Sequence, residues 1–402
     1  MKKTFLIIGL ACIGVTVSGQ NIRGPWKGVL NAGNVKLNIV LHIDNDSICR
    51  LNSPDQTSED IPGQVAYISE DSILVKVPKL LVLYGGKLHD GKLKGTFIQG
   101  ISALPLTLEP GELVRNRPQT PQPPFPYKTE EVTFTNTKAD ATLAGTLTVP
   151  KDGAKCVLLM VTGSGAQNRD EEVFGHSPFA VIADRLARAG IATLRYDDRA
   201  TGKSVGGKDP NITTKDFAED ALAGIEWLRK DGRFKKVGLL GHSEGGTIAF
   251  MLGAQKKLDF IVSLAGTSVK GDSVLLEQNK AIAGIMAKNL TIEKLRDMPA
   301  IKQSPWMMWF LDYDPQADIA KVKCPVMAIY GSKDCQVLAS QNLPALRRTL
   351  PKNKYHLIKE YPDLNHLFQH CQTGMPNEYG QIEETISEEV LSEIVSWLKT
   401  IE

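Results

Sequence analysis

Ser243 stands in the run Lys236-Val237-Gly238-Leu239-Leu240-Gly241-His242-Ser243-Glu244-Gly245-Gly246, where a short apolar stretch enters Gly-x-Ser-x-Gly. A helix-compatible stretch, Thr247 to Gln255, follows. Strand, tight turn and helix in that order lift a serine hydroxyl clear of a sheet, and the flanking glycines permit the close backbone approach of such a turn. A serine alcohol is a weak nucleophile at neutral pH, so it needs a base and a carboxylate that orients the base. Downstream, Val326-Met327-Ala328-Ile329-Tyr330-Gly331-Ser332-Lys333-Asp334 reads as a buried strand ending in a turn with one carboxylate. Tyr355 to Tyr361 reads as another strand, followed by the polar loop Pro362-Asp363-Leu364-Asn365-His366. Asp334 and His366 thus fall just past the carboxyl ends of strands, where open α/β sheets place their sites. The chemistry is acyl transfer: Ser243 attacks a carbonyl, His366 takes its proton and returns it to the leaving group, and Asp334 fixes the imidazole tautomer. Singly, such an Asp is a turn former and such a His is surface. The order Ser, acid, His favours the chemical reading of all three. His370 competes as the base and Asp363 as the acid, while His242 is read as packing, its side chain pointing away from the site.

Charge developing on a carbonyl oxygen needs two backbone N–H groups. Glu244, the residue after the serine, supplies one at a helix N-terminus. The other is assigned to Ser164, in the turn Thr162-Gly163-Ser164-Gly165 after the apolar strand Cys156 to Val161. A plain glycine turn is the alternative. Beyond it, Arg169-Asp170-Glu171 reads either as ion pairs bracing the loop or as a solvated run.

The elements that must hold these residues alternate. A leading hairpin (131–134 and 143–150) precedes strand 156–161, helix about 178–189, strand 191–196, helix about 214–230, strand 236–240, helix 245–255 and strand 259–264. This predicts an α/β fold, a doubly wound, mostly parallel sheet with right-handed crossovers. Residues from about 267 to 320 break the rhythm with helical stretches and Ser304-Pro305-Trp306-Met307-Met308-Trp309-Phe310-Leu311-Asp312-Tyr313. We expect a helical cap there, with Trp306, Trp309 and Phe310 either lining a substrate pocket or forming the cap's own core. Ser387 to Ile401 reads as a closing amphipathic helix.

Residues 129–402 resemble the α/β-hydrolase superfamily, and within it the EstD-like bacterial carboxylesterases. The matching pieces are Gly163-Ser164-Gly165-Ala166-Gln167-Asn168-Arg169-Asp170, Gly241 to Gly246, Gly331-Ser332-Lys333-Asp334 and Leu364-Asn365-His366-Leu367-Phe368-Gln369. Tyr196-Asp197-Asp198-Arg199-Ala200-Thr201-Gly202-Lys203-Ser204 resembles the family's Asp-x-Arg-Gly-x-Gly-x-Ser loop, with Ala200 where that pattern has glycine. The resemblance implies hydrolysis of carboxylic esters through an acyl-enzyme, without metal or cofactor.

Residues 20–113 have another texture. Apolar and polar residues alternate in 36–43, 71–77 and 91–100, with Gly, Asp and Asn between, which predicts a small all-β domain, a sandwich or a barrel. Its role is open between carbohydrate or substrate binding and a structural shield. The join, 114–128, carries five prolines between Arg117 and Pro126 and reads as an extended spacer. Ahead of it all, Lys2 and Lys3, the apolar stretch Phe5 to Val17 and the small residues Val17-Ser18-Gly19 read as a signal peptide over 1–19, too short to span a membrane. A lipoprotein reading on Cys12 fits less well, because it leaves too short an apolar region. The mature chain is expected to be periplasmic or secreted.

Composition narrows the classes. The chain has 402 residues, enough for two domains, with 42% hydrophobic and 23% charged residues and a net charge of +2. No Lys/Arg stripe interleaves with aromatics, so a nucleic-acid partner is not expected. Cleavage would leave Cys49, Cys156, Cys324, Cys335 and Cys371, an odd and scattered set that makes no disulfide framework, although a Cys335–Cys371 bridge is compatible with export. The leading function is an exported serine esterase for short-chain or aryl esters, with esterified plant polysaccharide as a natural substrate class. A serine peptidase of the prolyl-oligopeptidase type is the runner-up. Against it, the β domain shows no clear acidic pair for a peptide amine and is too short for a propeller. A non-catalytic binding module is the third reading, which the intact Ser-Asp-His order opposes.

Overall fold

The computed structural model describes residues 22–401 except 34, 56–59 and 114. The signal-peptide reading of 1–19 falls outside them. The chain divides into two compact units, one made of the residues ahead of Arg115 other than 55–58, and one from Arg115 onward together with 55–58.

The alternating segments of the first unit form eight antiparallel strands: β1 (Gly24–Ala32), β2 (Val35–Ile43), β3 (Ile48–Asn52), β4 (Ile61–Ile68), β5 (Ser72–Val77), β6 (Val82–His89), β7 (Lys92–Gln99) and β8 (Ser102–Pro110). Each pairs with the next, and β8 returns to β1 through Trp26↔Pro110 and Lys27↔Glu109, closing a barrel. Period-two alternation sends one side chain in two inward, and Trp26, Leu41, Val75, Tyr84, Leu93 and Leu108 fill the interior. The two polar aromatics there are satisfied: Trp26 donates to the Ile22 carbonyl, and the Tyr84 hydroxyl donates to the Leu93 carbonyl at 3.0 Å.

The second unit opens with the hairpin β9 (Tyr127–Asn136) and β10 (Ala141–Pro150). There follow β11 (Cys156–Val161), α1 (Pro178–Arg188), β12 (Ala192–Tyr196), the two-residue β13 (Val205–Gly206), α2 (Thr214–Asp231), β14 (Lys236–His242), α3 (Glu244–Ala254) and β15 (Ile261–Leu264). Five short helices intervene: α4 (Gly271–Ala283), α5 (Ile292–Asp297), α6 (Pro299–Lys302), α7 (Pro305–Asp312) and α8 (Gln316–Ile319). The fold closes with β16 (Val326–Gly331), α9 (Ala339–Thr349), β17 (Leu357–Tyr361), α10 (Pro376–Tyr379) and α11 (Glu388–Ile401). Strand order is β13-β10-β12-β11-β14-β15-β16-β17, with β9 on β10. From β12 to β17 the neighbours are parallel, and their fully apolar strands, such as Cys156–Val161, are buried throughout. α2 begins with a Thr213–Asp216 capping box, and Gly232 ends it at φ 77°.

Two features of this order place the site. The chain leaves β11 for β12 on one side and then enters β14 on the other, so the loops after β11 and β14 adjoin where the winding reverses. Each following parallel strand adds one more loop at the same end. The inserted helices pack about Leu275, Leu295, Ile301 and Leu311. The proline-rich join is no free spacer. The Arg117 guanidinium donates to the carbonyls of Phe174, Gly175, Gly380 and Ile382 at 2.7–3.2 Å, and Gln119 bonds the backbone of Thr385 and Ile386. Five donors in a planar fork serve four loop carbonyls that an extended proline chain alone would leave untouched. Among the described residues no helix is long and apolar enough to cross a membrane.

Candidate active site

Ser243 closes β14 at φ 53° and ψ −112°, a conformation outside the regions that side-chain-bearing residues ordinarily occupy. The turn is set by its glycines. A Cβ on Gly241 would lie 2.0 Å from the Gly245 carbonyl oxygen, and one on Gly245 would lie 2.0 Å from that of Val161. The Ser243 N–H donates to Leu264 of β15 at 2.8 Å, which ties the bend to the sheet. α3 starts at Glu244, so its first N–H groups face the region of the serine without helical partners.

Asp334 follows β16 and His366 follows β17, two strands in parallel register through Gly331↔Tyr361. Their loops interlock: Ser332 N–H donates to Tyr361 at 2.8 Å and Lys333 N–H to Leu364 at 3.0 Å. His366 Nδ1 lies 2.7 Å from Asp334 Oδ2. Asp334 Oδ1 accepts from the N–H groups of Gln336 (2.8 Å) and Val337 (2.9 Å). Both residues are buried, at 4% and 5% exposure, which keeps water off the pair. With Nδ1–H given to a carboxylate, Nε2 carries the lone pair. Ser243, Ser164 and His366 line one cavity of about 200 Å³, with Gly163, Glu171, His242 and the walls Val173, Phe174, Leu367, Pro376 and Tyr379. The competitors are elsewhere engaged: exposed His370 pairs with Glu384 at 2.9 Å, and exposed Asp363 pairs with Lys333 at 2.8 Å.

The loop after β11 is held by the Asp197-Asp198-Arg199 segment. Arg169 grips Asp197 with Nε to Oδ1 at 3.0 Å and Nη2 to Oδ2 at 2.8 Å. Asp198 Oδ2 accepts from the Thr162 hydroxyl at 3.0 Å and from Gln167 N–H at 2.8 Å. Burial pushes the Asp198 pKa up to about 7, against those two donors. Arg199 turns away to a buried pairing with Asp220. Ala200, where the family pattern has glycine, takes the left-handed φ of 56°. The Arg169-Asp170-Glu171 run therefore braces the loop: Asp170 pairs with Arg195, and Glu171 is buried against His242.

His242 is a correction to the sequence reading. It is no apolar packing residue but lines the Ser243 cavity, with both ring nitrogens in hydrogen bonds. Glu244 sends its carboxylate to the Trp306 indole N–H at 2.7 Å, and burial pushes its pKa above the usual range. Of the three cap aromatics, none lines the Ser243 cavity. Trp306 lines a larger one of about 750 Å³ with Ile212, Phe217 and Ser164. Phe310 stacks on Trp306, and Trp309 stacks on Tyr313. The walls Phe174 and Tyr379 were not anticipated, since Phe174 lies in an irregular turn and Tyr379 in the four-residue α10, neither within a motif. Cys335 and Cys371 are unbridged, their thiols donating to the Gly374 and Asp363 carbonyls.

Residues 176–324 match the family model described as serine aminopeptidase, S33, and residues 311–402 match the dienelactone hydrolase family. The chain is 27% identical over 274 residues to esterase EstD of Thermotoga maritima, covering 64% of this chain and 65% of that protein. It thus spans just under two thirds of that relative's length. It is 25% identical over 212 residues to a monoacylglycerol lipase of Mycolicibacterium smegmatis, covering 46% and 74%. An esterase structure from Pyrococcus furiosus superposes with a TM-score of 0.48 at 19% identity, covering 72% of this chain and 99% of that one. The sheet order and the bend at Ser243 make an α/β-hydrolase-like fold, and in sequence the chain is similar to the esterase EstD.

Proposed function

We propose that the protein hydrolyses carboxylic esters through an acyl-enzyme on Ser243, with His366 as general base and acid and Asp334 as its orienting carboxylate. The observation that carries this reading is the bend at Ser243 sharing a cavity with a histidine whose Nδ1–H is committed to a buried carboxylate. His366 Nε2 takes the Ser243 proton as Oγ bonds the ester carbonyl carbon. The N–H groups of Ser164 and Glu244 receive the charge on the carbonyl oxygen. The proton then leaves with the alcohol as the C–O bond breaks, and water repeats the sequence to release the acid.

The cavity sizes support a small reacting group. About 200 Å³ is less than the roughly 300–1,000 Å³ of ordinary ligand pockets, so it suits a short acyl portion. The apolar 750 Å³ cavity across Ser164 suits a larger alcohol portion such as an aryl group or an esterified sugar. Trp306 is the one cap aromatic placed to meet it. The amino-terminal Lys2-Lys3 and apolar stretch support export, which N-terminal sequencing of the mature protein would show as a start at Gln20.

The test is hydrolysis of p-nitrophenyl esters from acetate to octanoate beside aminoacyl p-nitroanilides. Turnover greatest on the short esters and absent on the anilides supports the reading. Turnover of anilides alone would transfer the site to the peptidase reading.

A further inference from the structure

We infer that His242 and Glu171 form a second, buried histidine–carboxylate couple that positions the two halves of the reaction centre, an inference that rests on the ester-hydrolase reading above. His242 Nδ1 lies 2.9 Å from Glu171 Oε1, and its Nε2 lies 2.9 Å from the main-chain carbonyl oxygen of His366. A carbonyl oxygen has no proton to give. A neutral imidazole has one N–H, so two bonds to two acceptors require a second proton within the couple. Gly163 N–H donates to the same Glu171 oxygen at 2.7 Å, which favours the carboxylate and leaves that proton on the ring. His242 is therefore an imidazolium held between a carboxylate and a carbonyl.

The surroundings agree. His242 and Glu171 are 7% and 2% exposed. The titratable groups facing the ring are Glu171, His366, whose ring centroid is 4.8 Å away, and Asp334 behind it. Burial alone would lower the His242 pKa. The Glu171 charge, the bond to it and the His366 carbonyl outweigh burial and hold it above the ordinary histidine value.

The couple spans three segments. Through Glu171 it fixes Gly163 and hence the turn that presents Ser164. Through the His366 carbonyl it fixes the backbone that presents the base. Its histidine is the chain neighbour of Ser243. A buried ion pair is a weak source of stability, because desolvation offsets most of its attraction. Its consequence here is geometric, since a displacement of about 1 Å in a reacting group can cost about 100-fold in rate. His242 and Glu171 handle no reacting proton, so they are positioning residues.

Two substitutions each keep one arm. His242→Asn keeps a donor near Nδ1, toward Glu171, and His242→Gln keeps one near Nε2, toward the His366 carbonyl. With Glu171→Gln and the Glu171→Gln/His242→Gln double variant, they are assayed for kcat and KM on p-nitrophenyl acetate and for the rate of Ser243 labelling by a fluorophosphonate. The expected result is a roughly 10- to 100-fold fall in kcat and labelling rate with KM within about threefold. The double variant is no slower than the worse single variant, because the couple acts as a unit. Labelling and kcat per folded molecule within about twofold of wild type in every variant, with only the melting temperature moved, would overturn the inference and leave a structural pair. Labelling needs no substrate. A wild type that is labelled at Ser243 yet turns over no ester fails the ester reading alone, and the labelling rates of the variants then decide this one. If the variants do not fold, ¹⁵N spectra of the wild-type histidines decide it: two N–H signals on His242 at neutral pH support the couple, and one N–H overturns it.

Discussion

Asp334→Asn changes neither shape nor volume, yet the structure predicts that it disables the site. Asp334 Oδ1 accepts two backbone N–H groups, at 2.8 and 2.9 Å, while Oδ2 accepts His366 Nδ1–H at 2.7 Å. An asparagine there must turn its carbonyl oxygen toward the two backbone donors. The opposite orientation would face NH₂ against them and leave buried N–H groups unpaired, at about 1–3 kcal/mol each. The NH₂ therefore faces His366 Nδ1, which can pair with it only as an acceptor. The ring proton moves to Nε2, and the lone pair that should take the Ser243 proton is gone. Loss of the working tautomer in a serine triad costs about 10⁴-fold in kcat, or ~5 kcal/mol of barrier. The assay is kcat on p-nitrophenyl acetate from neutral to alkaline pH, with circular dichroism to verify that the variant is folded. A folded Asp334→Asn protein retaining kcat within about tenfold of wild type would refute the reasoning, because the carboxylate would then not set the tautomer.

Other predictions concern stability. Ala200 holds φ 56° at an exposed position, at about 1–2 kcal/mol of strain. Glycine gives back part of that through the unfolded chain, so Ala200→Gly should stabilise by ~0.5–1 kcal/mol in urea unfolding, and a loss of stability would contradict this account. His176 is buried with Nε2 bonded to the Tyr379 carbonyl and Nδ1 to the Thr385 hydroxyl, and burial pushes its pKa down to about 4. Its folded pKa lies below the unfolded value of about 6.5, so its contribution is present above that value and lost as pH falls toward 4, by on the order of 3 kcal/mol. Urea unfolding between those limits should show a shallower loss for His176→Gln, and an unchanged slope would count against it. Asp198 acts with the opposite sign: its pKa is raised to about 7, so its contribution is lost as pH rises from about 4 toward 7. Asp198→Asn should flatten that decline in the same measurement, and a variant declining as steeply as wild type would exclude the group.

The parts legible in the sequence are those whose cause is local. The bend at Ser243 is written in Gly241 and Gly245, because a Cβ at either would meet backbone oxygen at 2.0 Å. Asp334 and His366 stand out because parallel strands present side chains just past their carboxyl ends. The parallel sheet follows from short, fully apolar runs alternating with helical ones. What was not legible depends on distant partners. His242 looks like packing from its neighbours in the chain, and its partners lie 71 and 124 residues away. Arg117 sits among prolines that suggest a spacer, and only the folded loops bring four carbonyls to its guanidinium. Alternation in the first unit indicates strands with one buried face, but closure into a barrel turns on the β1–β8 pairing across the whole unit. The cluster Trp306 to Phe310 is apolar on several faces, so counting aromatics could not select Trp306 from its neighbours.

The central claim is that Ser243 carries the acyl group. Reaction with p-nitrophenyl acetate, quenched during the initial burst and analysed by peptide mass mapping, tests it most directly. The account predicts one acetyl group per molecule, on the peptide containing Ser243, and neither adduct nor turnover in Ser243→Ala. Acetylation at another residue, or Ser243→Ala hydrolysing the ester at the wild-type rate, would contradict it.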